Sequence, residues 1–161
     1  GLLAVTGPIP LGYYGDPIKT AETFRHFEGT RWSVPGDWAS IGADGMVTLL
    51  GRGSVSINTG GEKVYPEEVE EALKLLPEIV DCNVVGVPDP QWGAAVTAVV
   101  ELADGAAPSD AEIVDRLRTS LSGFKLPKNI VRVDTVFRGP NGKADYKWAA
   151  KTARDALGIT D

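Results

Sequence analysis

The sequence predicts an α+β fold: a small C-terminal domain with a mixed three-stranded sheet, a hairpin and about three helices, preceded by a β-rich segment. Three observations carry this expectation. Up to Gly51 the apolar residues fall in short runs broken by Gly and Pro, whereas beyond Arg52 they recur at helical spacing. Ser109 and Glu112 stand at capping-box spacing ahead of Ile113, Leu117 and Leu121. Gly60-Gly61 separates two short extended pieces, as in a tight hairpin, because glycine reaches positive φ without steric cost.

Taken in order, residues 2–5 (LLAV) read as a strand, and GPIPLGYYGDP as turns. Residues 19–27 have room for one or two helical turns, and residues 46–50 (MVTLL) form another strand. No long amphipathic helix closes a core over residues 1–51, so this part is expected to need neighbours. The hairpin follows, with Val55 and Ile57 in one arm and Lys63-Val64-Tyr65 in the other. Pro66 suits the first position of a helix over residues 66–76, where its missing N–H costs nothing. Glu67 and Glu68 favour the positive end of that helix, and Val69, Ala72, Leu73 and Leu76 make one apolar stripe. The acidic cluster Glu67, Glu68, Glu70 and Glu71 is expected to be a solvated face. Strands over 79–87 and 95–102 flank the turn VPDPQWG, and a helix over 109–122 stops at Gly123. A strand over 129–134 and a helix over 145–157 complete the chain; that helix buries Tyr146, Ala149, Ala150, Ala153 and Leu157.

Composition narrows the function classes. A net charge of −6 argues against nucleic acid as the main partner, since phosphate binding calls for excess Lys and Arg. One cysteine, Cys82, excludes an intramolecular disulfide and fits a reducing, cytoplasmic setting; its apolar neighbours make it a buried, inert thiol. His26 and Cys82 have no usual metal-ligand spacing, and a triad on His26 is disfavoured. No apolar run approaches the ~18 residues of a membrane span, and GLLAVTGPIP lacks the basic leader of a signal peptide. The chain lacks an initiator Met and starts at once in strand-like sequence, as a piece cut from a longer chain does.

The stretch GRGSVSINTGGEKVYPEEVE (51–70), with PGDWASIGADGMVTLLGR before it and GPNGKADYKWAAK near the end, resembles the adenylate-forming superfamily. That superfamily includes acyl-CoA synthetases, peptide-synthetase adenylation domains and luciferases, and the wording is most similar to bacterial fatty-acyl and sterol-side-chain CoA ligases. The resemblance covers nearly the whole chain but only the last third or so of such an enzyme. It implies that residues 1–51 end a large adenylation domain and that 52–161 form a mobile small domain, hinged near Ser54. It also implies a carboxylic acid, ATP, Mg²⁺ and coenzyme A as reactants and cofactors. The phosphate loop, acyl pocket and Mg²⁺-binding glutamate belong upstream, in the missing N-terminal domain, so the chain is expected to be inactive alone.

Residue by residue, Asp37 in PGDW matches the aspartate that accepts the ribose hydroxyls of ATP; by itself it reads as an Asx-turn residue. The usual threonine of that motif is Pro35 here. Arg52 matches an arginine that reaches the nucleotide's ribose and phosphates, and otherwise closes a hairpin at the surface. Ser54 takes the hinge position, usually Asp or Lys in relatives, and needs only to tolerate a large φ/ψ change. Gly60 and Gly61 match the turn along which the pantetheine arm of CoA passes, with Lys63 supporting the second half-reaction. Lys143, in Pro140-Asn141-Gly142-Lys143, matches the adenylation lysine, where a lysine before a helix is otherwise solvated charge. Lys147 and Lys151 are expected to be solvated. The leading function is thus an ATP-dependent acyl-CoA synthetase. The alternatives are an acyl-AMP ligase that loads a carrier protein, and a non-catalytic α+β interaction module.

Overall fold

A computed structural model describes residues 1–160, which divide into two compact units, Gly1–Ser54 and the chain from Val55 onward. In the first unit, helix α1 (Pro17–Thr23) opens on Pro17, with the Asp16 carboxylate accepting from the Lys19 N–H at 2.8 Å. It ends earlier than residues 19–27 predict, because Phe24–Phe27 leaves the helix as strand β1 and pairs antiparallel with β2 (Thr30–Ser33). The two-residue loop between them holds Glu28 and Gly29 at φ 48° and 75°, and the ladder it closes outweighs a short helix's weak propensity. β3 (Asp37–Ile41) and β4 (Val47–Arg52) form a second hairpin. The expected strand over 2–5 is reduced to isolated bridges, Leu2 to Trp38 and Val5 to Ser33.

The second unit holds the core. β5 (Ile57–Thr59) and β6 (Glu62–Val64) form the glycine hairpin, and α2 (Pro66–Lys74) follows with Pro66 at its start. β7 (Ile79–Asp89) runs antiparallel to β8 (Gly93–Leu102), and β8 runs parallel to β9 (Asn129–Val133), giving the mixed three-stranded sheet. α3 (Asp110–Leu117) makes the crossover that a parallel pair requires, and α4 (Tyr146–Leu157) closes the chain. On one face Val69 and Leu73 of α2 and Ile113 and Leu117 of α3 pack with Cys82, Val84, Val96 and Val100. On the other, Ala149 and Ala153 of α4 meet Val85, Val87, Val99 and Val131. The alternation of even and odd positions along β7 is the period of a strand buried on both sides.

Three expectations need correction. The Ser109–Glu112 capping box forms, but α3 stops at Leu117. The Thr119 and Ser120 hydroxyls donate to the carbonyls of Arg116 and Leu117, competing with the helical ladder, and Gly123 starts a separate 3-10 turn. Leu157, at the end of α4, is exposed rather than buried. The acidic face of α2 is not all solvated. Glu70 is 5% exposed, at helical spacing from Pro66 and Leu73 on the buried stripe. Its Oε1 accepts from the Val84 N–H at 2.8 Å, and its Oε2 accepts from the Tyr146 hydroxyl at 3.3 Å.

Burial drives the Glu70 carboxyl from an ordinary 4.5 up to about 7, against the pull of the Val84 N–H, Lys74 and Tyr146. Between those two values the unfolded chain has released a proton that the folded chain keeps, so folded stability falls as pH rises through this window. Glu70→Gln keeps a carbonyl for Val84 and removes the titration. Denaturant unfolding of wild type and variant is expected to show the variant gaining up to about 3 kcal/mol relative to wild type between pH 4.5 and pH 8, at 1.36 kcal/mol per unit. A gap independent of pH refutes the assignment.

Candidate functional site

Asp37 and Arg52 open β3 and close β4, and antiparallel register sets them opposite one another. Gly51 at φ 104° sits before Arg52, beside the irregularity between Trp38 and Ala39. The Arg52 Nε lies 3.3 Å from Asp37 Oδ1, with the arginine side chain 60% exposed. The pair therefore offers a carboxylate acceptor and a guanidinium fork on the same rung, open to solvent. Ser54 is exposed in a 3-10 turn (Gly53–Val55) and is the last residue of the first unit.

In the second unit Gly60 and Gly61, at φ 58° and 87°, make the two-residue turn between β5 and β6. The two glycines do different work. A Cβ at Gly60 would meet the Trp92 ring at 2.7 Å, and the Gly60 N–H donates to the Trp92 carbonyl at 2.9 Å. A Cβ at Gly61 would meet nothing within 4 Å, so its bare backbone faces open space. Lys63 is exposed on β6, opposite Asn58. Beside the turn lies a groove of about 310 Å³ between Gly60, Trp92, Phe124 and Lys128. The Lys128 ammonium sits 4.0 Å over the Trp92 ring, and both Trp92 and Phe124 keep about two-fifths of their surface exposed. Aromatic faces and an ammonium beside a bare glycine backbone can hold a planar base, a phosphate and a thin chain, which is the chemical outline of CoA. Sequence reasoning missed this groove. VPDPQWG reads as a turn, and the only signal was a tryptophan in an exposed turn together with an aromatic between Gly123 and the lysines of FKLPK.

Lys143 is exposed at the end of a turn held by its own backbone: Gly139 N–H donates to the Lys143 carbonyl at 2.9 Å, and Gly142 N–H to the Gly139 carbonyl at 2.9 Å. Asn141 Oδ1 accepts from the Lys143 N–H at 3.2 Å, and the Asp145 carboxylate caps α4 by accepting from the Trp148 N–H at 2.9 Å. Lys147 is exposed, and Lys151 pairs with Asp155 at 2.5 Å along α4. The described residues contain no group of three or more His, Cys, Asp or Glu able to hold a metal ion, and no helix long and apolar enough to cross a membrane.

The structure thus brings Asp37 to Arg52, and Gly60 and Gly61 to one hairpin with Lys63, but it does not bring Lys143 to Gly60. The Lys143 turn is tied through Arg138 to Asp81 near the start of β7, whereas the Gly60 turn is tied to Trp92 just past its end. From Asp81 to Asp89 the strand covers roughly 26 Å at ~3.3 Å per residue. The two turns are tied to opposite ends of the β7–β8 hairpin.

Residues 68–143 match the AMP-binding enzyme C-terminal domain. Over 149 residues the chain is 55% identical to a medium/long-chain-fatty-acid–CoA/3-oxocholest-4-en-26-oate–CoA ligase of Mycolicibacterium smegmatis, and likewise 55% identical to a 3-oxocholest-4-en-26-oate–CoA ligase of Rhodococcus rhodochrous. In both cases the alignment covers 92% of this chain, which spans 27% of the relative's length. Among solved structures, the o-succinylbenzoate CoA synthetase of Bacillus subtilis in complex with its acyl-adenylate intermediate matches 92% of the chain and 30% of its own, at 27% identity and a TM-score of 0.82. The chain thus shares the fold of this adenylate-forming neighbour, and residues 68–143 carry the AMP-binding enzyme C-terminal domain.

Proposed function

We propose that this chain is the C-terminal part of an ATP-dependent acyl-CoA ligase that acts on a fatty acid or a sterol side-chain acid. The observation that carries the proposal is the placement of two unlike polar ends on one hairpin: a lysine on a fixed turn at one, a glycine turn with an aromatic, cationic groove at the other. Turns tied to opposite ends of a strand segment roughly 26 Å long are not placed to serve one reacting carboxyl carbon at once. They suit two successive half-reactions in one site, with the second unit turning about Ser54 between them. The activities of these relatives supply the acyl class.

In the first half-reaction a carboxylate oxygen attacks the α-phosphorus of ATP and pyrophosphate leaves. Asp37 accepts hydrogen bonds from the ribose hydroxyls, Arg52 reaches the ribose and phosphates, and the Lys143 ammonium lies between carboxylate and α-phosphate as charge moves from one to the other. Mg²⁺ would offset phosphate charge when bound, with its ligands supplied from outside this chain. In the second half-reaction the CoA sulfur, having lost its proton, attacks the acyl carbonyl carbon, and AMP leaves with the bonding pair. Gly61 lets the pantetheine chain pass without a side chain in its way, Lys63 stands alongside, and Trp92, Phe124 and Lys128 receive the nucleotide end. A carrier protein delivers pantetheine without that nucleotide, so the groove favours CoA as acceptor.

Two variants of the complete ligase separate the ends. Lys143→Ala is expected to lower ATP–pyrophosphate exchange by ~100-fold or more, the equivalent of roughly 2.7–4 kcal/mol, while preformed acyl-adenylate still yields acyl-CoA. Equal losses in both assays refute the role of Lys143. Lys128→Ala is expected to raise KM for CoA several-fold and leave pyrophosphate exchange unchanged, whereas an unaltered KM removes the groove from CoA binding. Gly61→Leu tests the turn itself, with Gly61→Ala as the control for the ~1–2 kcal/mol strain of a side chain at positive φ. A folded Gly61→Leu enzyme is expected to make acyl-adenylate and retain it, and unimpaired thioester formation counts against this turn.

A further inference from the structure

Arg138, immediately before the Lys143 turn, is the one side chain that fastens that turn's leading end to the sheet among the described residues. Its guanidinium makes a forked contact to Asp81 on β7, Nε to Oδ2 at 2.6 Å and Nη2 to Oδ1 at 2.5 Å. Its remaining nitrogen, Nη1, donates to the carbonyl of Gly142 at 3.3 Å. The Arg138 backbone also bridges Ala144 across the turn. One planar group therefore joins a strand side chain to the carbonyl directly preceding Lys143. The trailing end is held independently, by the Asp145 cap on α4 and by the Tyr146 hydroxyl donating to Glu70.

The pair is built as a fixture and not as a surface ornament. Both side chains are largely covered, at 32% exposure for Arg138 and 19% for Asp81. Asp81 has a further partner, the backbone N–H of Cys82, which donates to its Oδ1 at 2.8 Å. Burial alone would raise the Asp81 pKa, but the Arg138 fork, followed by the Cys82 N–H, outweighs it and holds the carboxyl below the ordinary range. A bidentate guanidinium–carboxylate pair fixes orientation as well as distance, which a lysine at 138 could not do.

We propose that Asp81 and Arg138 are positioning residues for adenylation: through the Gly142 carbonyl they set the height and direction of the Lys143 side chain, and they have no part in thioester formation. The proposal rests on the reading of Lys143 as the adenylation lysine. A reactive group needs its near-attack geometry held to within fractions of an ångström, and a lysine with four side-chain torsions has only its backbone to fix it. Neither Asp81 nor Arg138 has to touch a reactant for this role.

The test uses Asp81→Asn, Arg138→Met and Arg138→Lys, with Arg116→Met, which breaks the exposed Arg116–Glu78 pair elsewhere in the same unit, as the control. In residues 1–161, amide hydrogen exchange over 139–144 is expected to quicken at least 10-fold in Arg138→Met and Asp81→Asn, with β7 and the body of α4 unchanged. In the complete ligase the same variants are expected to lower the turnover of ATP–pyrophosphate exchange 10- to 100-fold at little-changed KM for ATP, and to leave acyl-adenylate plus CoA at the wild-type rate. Arg138→Lys is expected to fall between, since it keeps the charge and loses the fork. Adding Arg138→Met to Lys143→Ala is expected to cost nothing further, because residues that act as a unit are not additive. Wild-type exchange turnover in Arg138→Met, equal loss in both half-reactions, or an additive double variant overturns the proposal. If Arg138→Met does not fold, the additivity of Arg138→Lys with Lys143→Ala decides it. Should Lys143→Ala itself retain pyrophosphate exchange, the function assigned to Lys143 fails, and hydrogen exchange alone then shows whether the pair holds the turn.

Discussion

The register of β7 against β8 is the constraint on which the second unit depends. Ten paired positions run from Ile79–Leu102 to Asp89–Gly93, and they fix which residues of β7 face α2 and which face α4. A slip of one residue would carry Cys82 and Val84 to the wrong layer and expose a charged partner to an apolar one. The same register places Asp81 at one end and the Trp92 turn at the other. Candidate chemistry therefore inherits its spacing from a ladder of backbone hydrogen bonds, which is the stiffest ruler that a domain of this size possesses. The two turns, each closed by its own backbone hydrogen bonds, are fixed in place by attachment to the two ends.

Polar groups buried between the layers serve that attachment. Glu70 closes a gap that an apolar residue could fill more cheaply, yet it takes up the Val84 N–H and the Tyr146 hydroxyl and so ties α2, β7 and α4 together. Burial pushes the Cys82 thiol up to about 12, with the Glu70 charge adding to it, so a thiol in this seam stays protonated and unreactive at neutral pH. Tyr146 is likewise kept protonated, chiefly by burial and then by the Glu70 charge, and so remains a donor to it. The seam is thus electrically quiet, with its single titration near neutrality at Glu70. Asn83 is fully buried, and its side-chain amide makes no hydrogen bond among the described residues.

How much of this was legible in the sequence depended on how local the cause was. Pro66 and the Ser109–Glu112 box mark helix starts through local geometry, and each does what its position predicts. The Gly60-Gly61 turn was equally legible, since only the smallest residue takes φ of 58° and 87° in succession without strain. What failed were features decided at long range. The apolar run at 2–5 could not announce that it would make two bridges instead of a strand, and Phe24–Phe27 could not announce β2 as its partner. Glu70 shares the charge of its acidic neighbours in the sequence, but its spacing to Leu73 puts it on the buried stripe. The motif around Lys143 was readable from its turn chemistry, but the residue that steadies it, Arg138, pairs with a partner 57 positions away. Charge alone in a sequence does not reveal such a pairing.

Lys143 and the glycine turn also differ in what they ask of the chain around them, and that difference explains their locations. Under the proposed function, a lysine that meets moving charge needs a fixed root and a free tip, and Lys143 stands exposed at the junction of a hydrogen-bonded turn and a capped helix. A passage for a thin substrate arm needs the reverse, a wall with nothing projecting from it. On the same proposal Gly61 leaves such a wall bare, whereas the Cα face of Gly60 is already pressed on Trp92. The tryptophan in turn leaves part of its ring and the neighbouring Lys128 open to the groove. One glycine is thus spent on holding the turn against the sheet and the next on keeping the surface bare. Replacing either would be read in a different measurement: stability and packing for Gly60 and, under the proposed function, passage of the arm for Gly61.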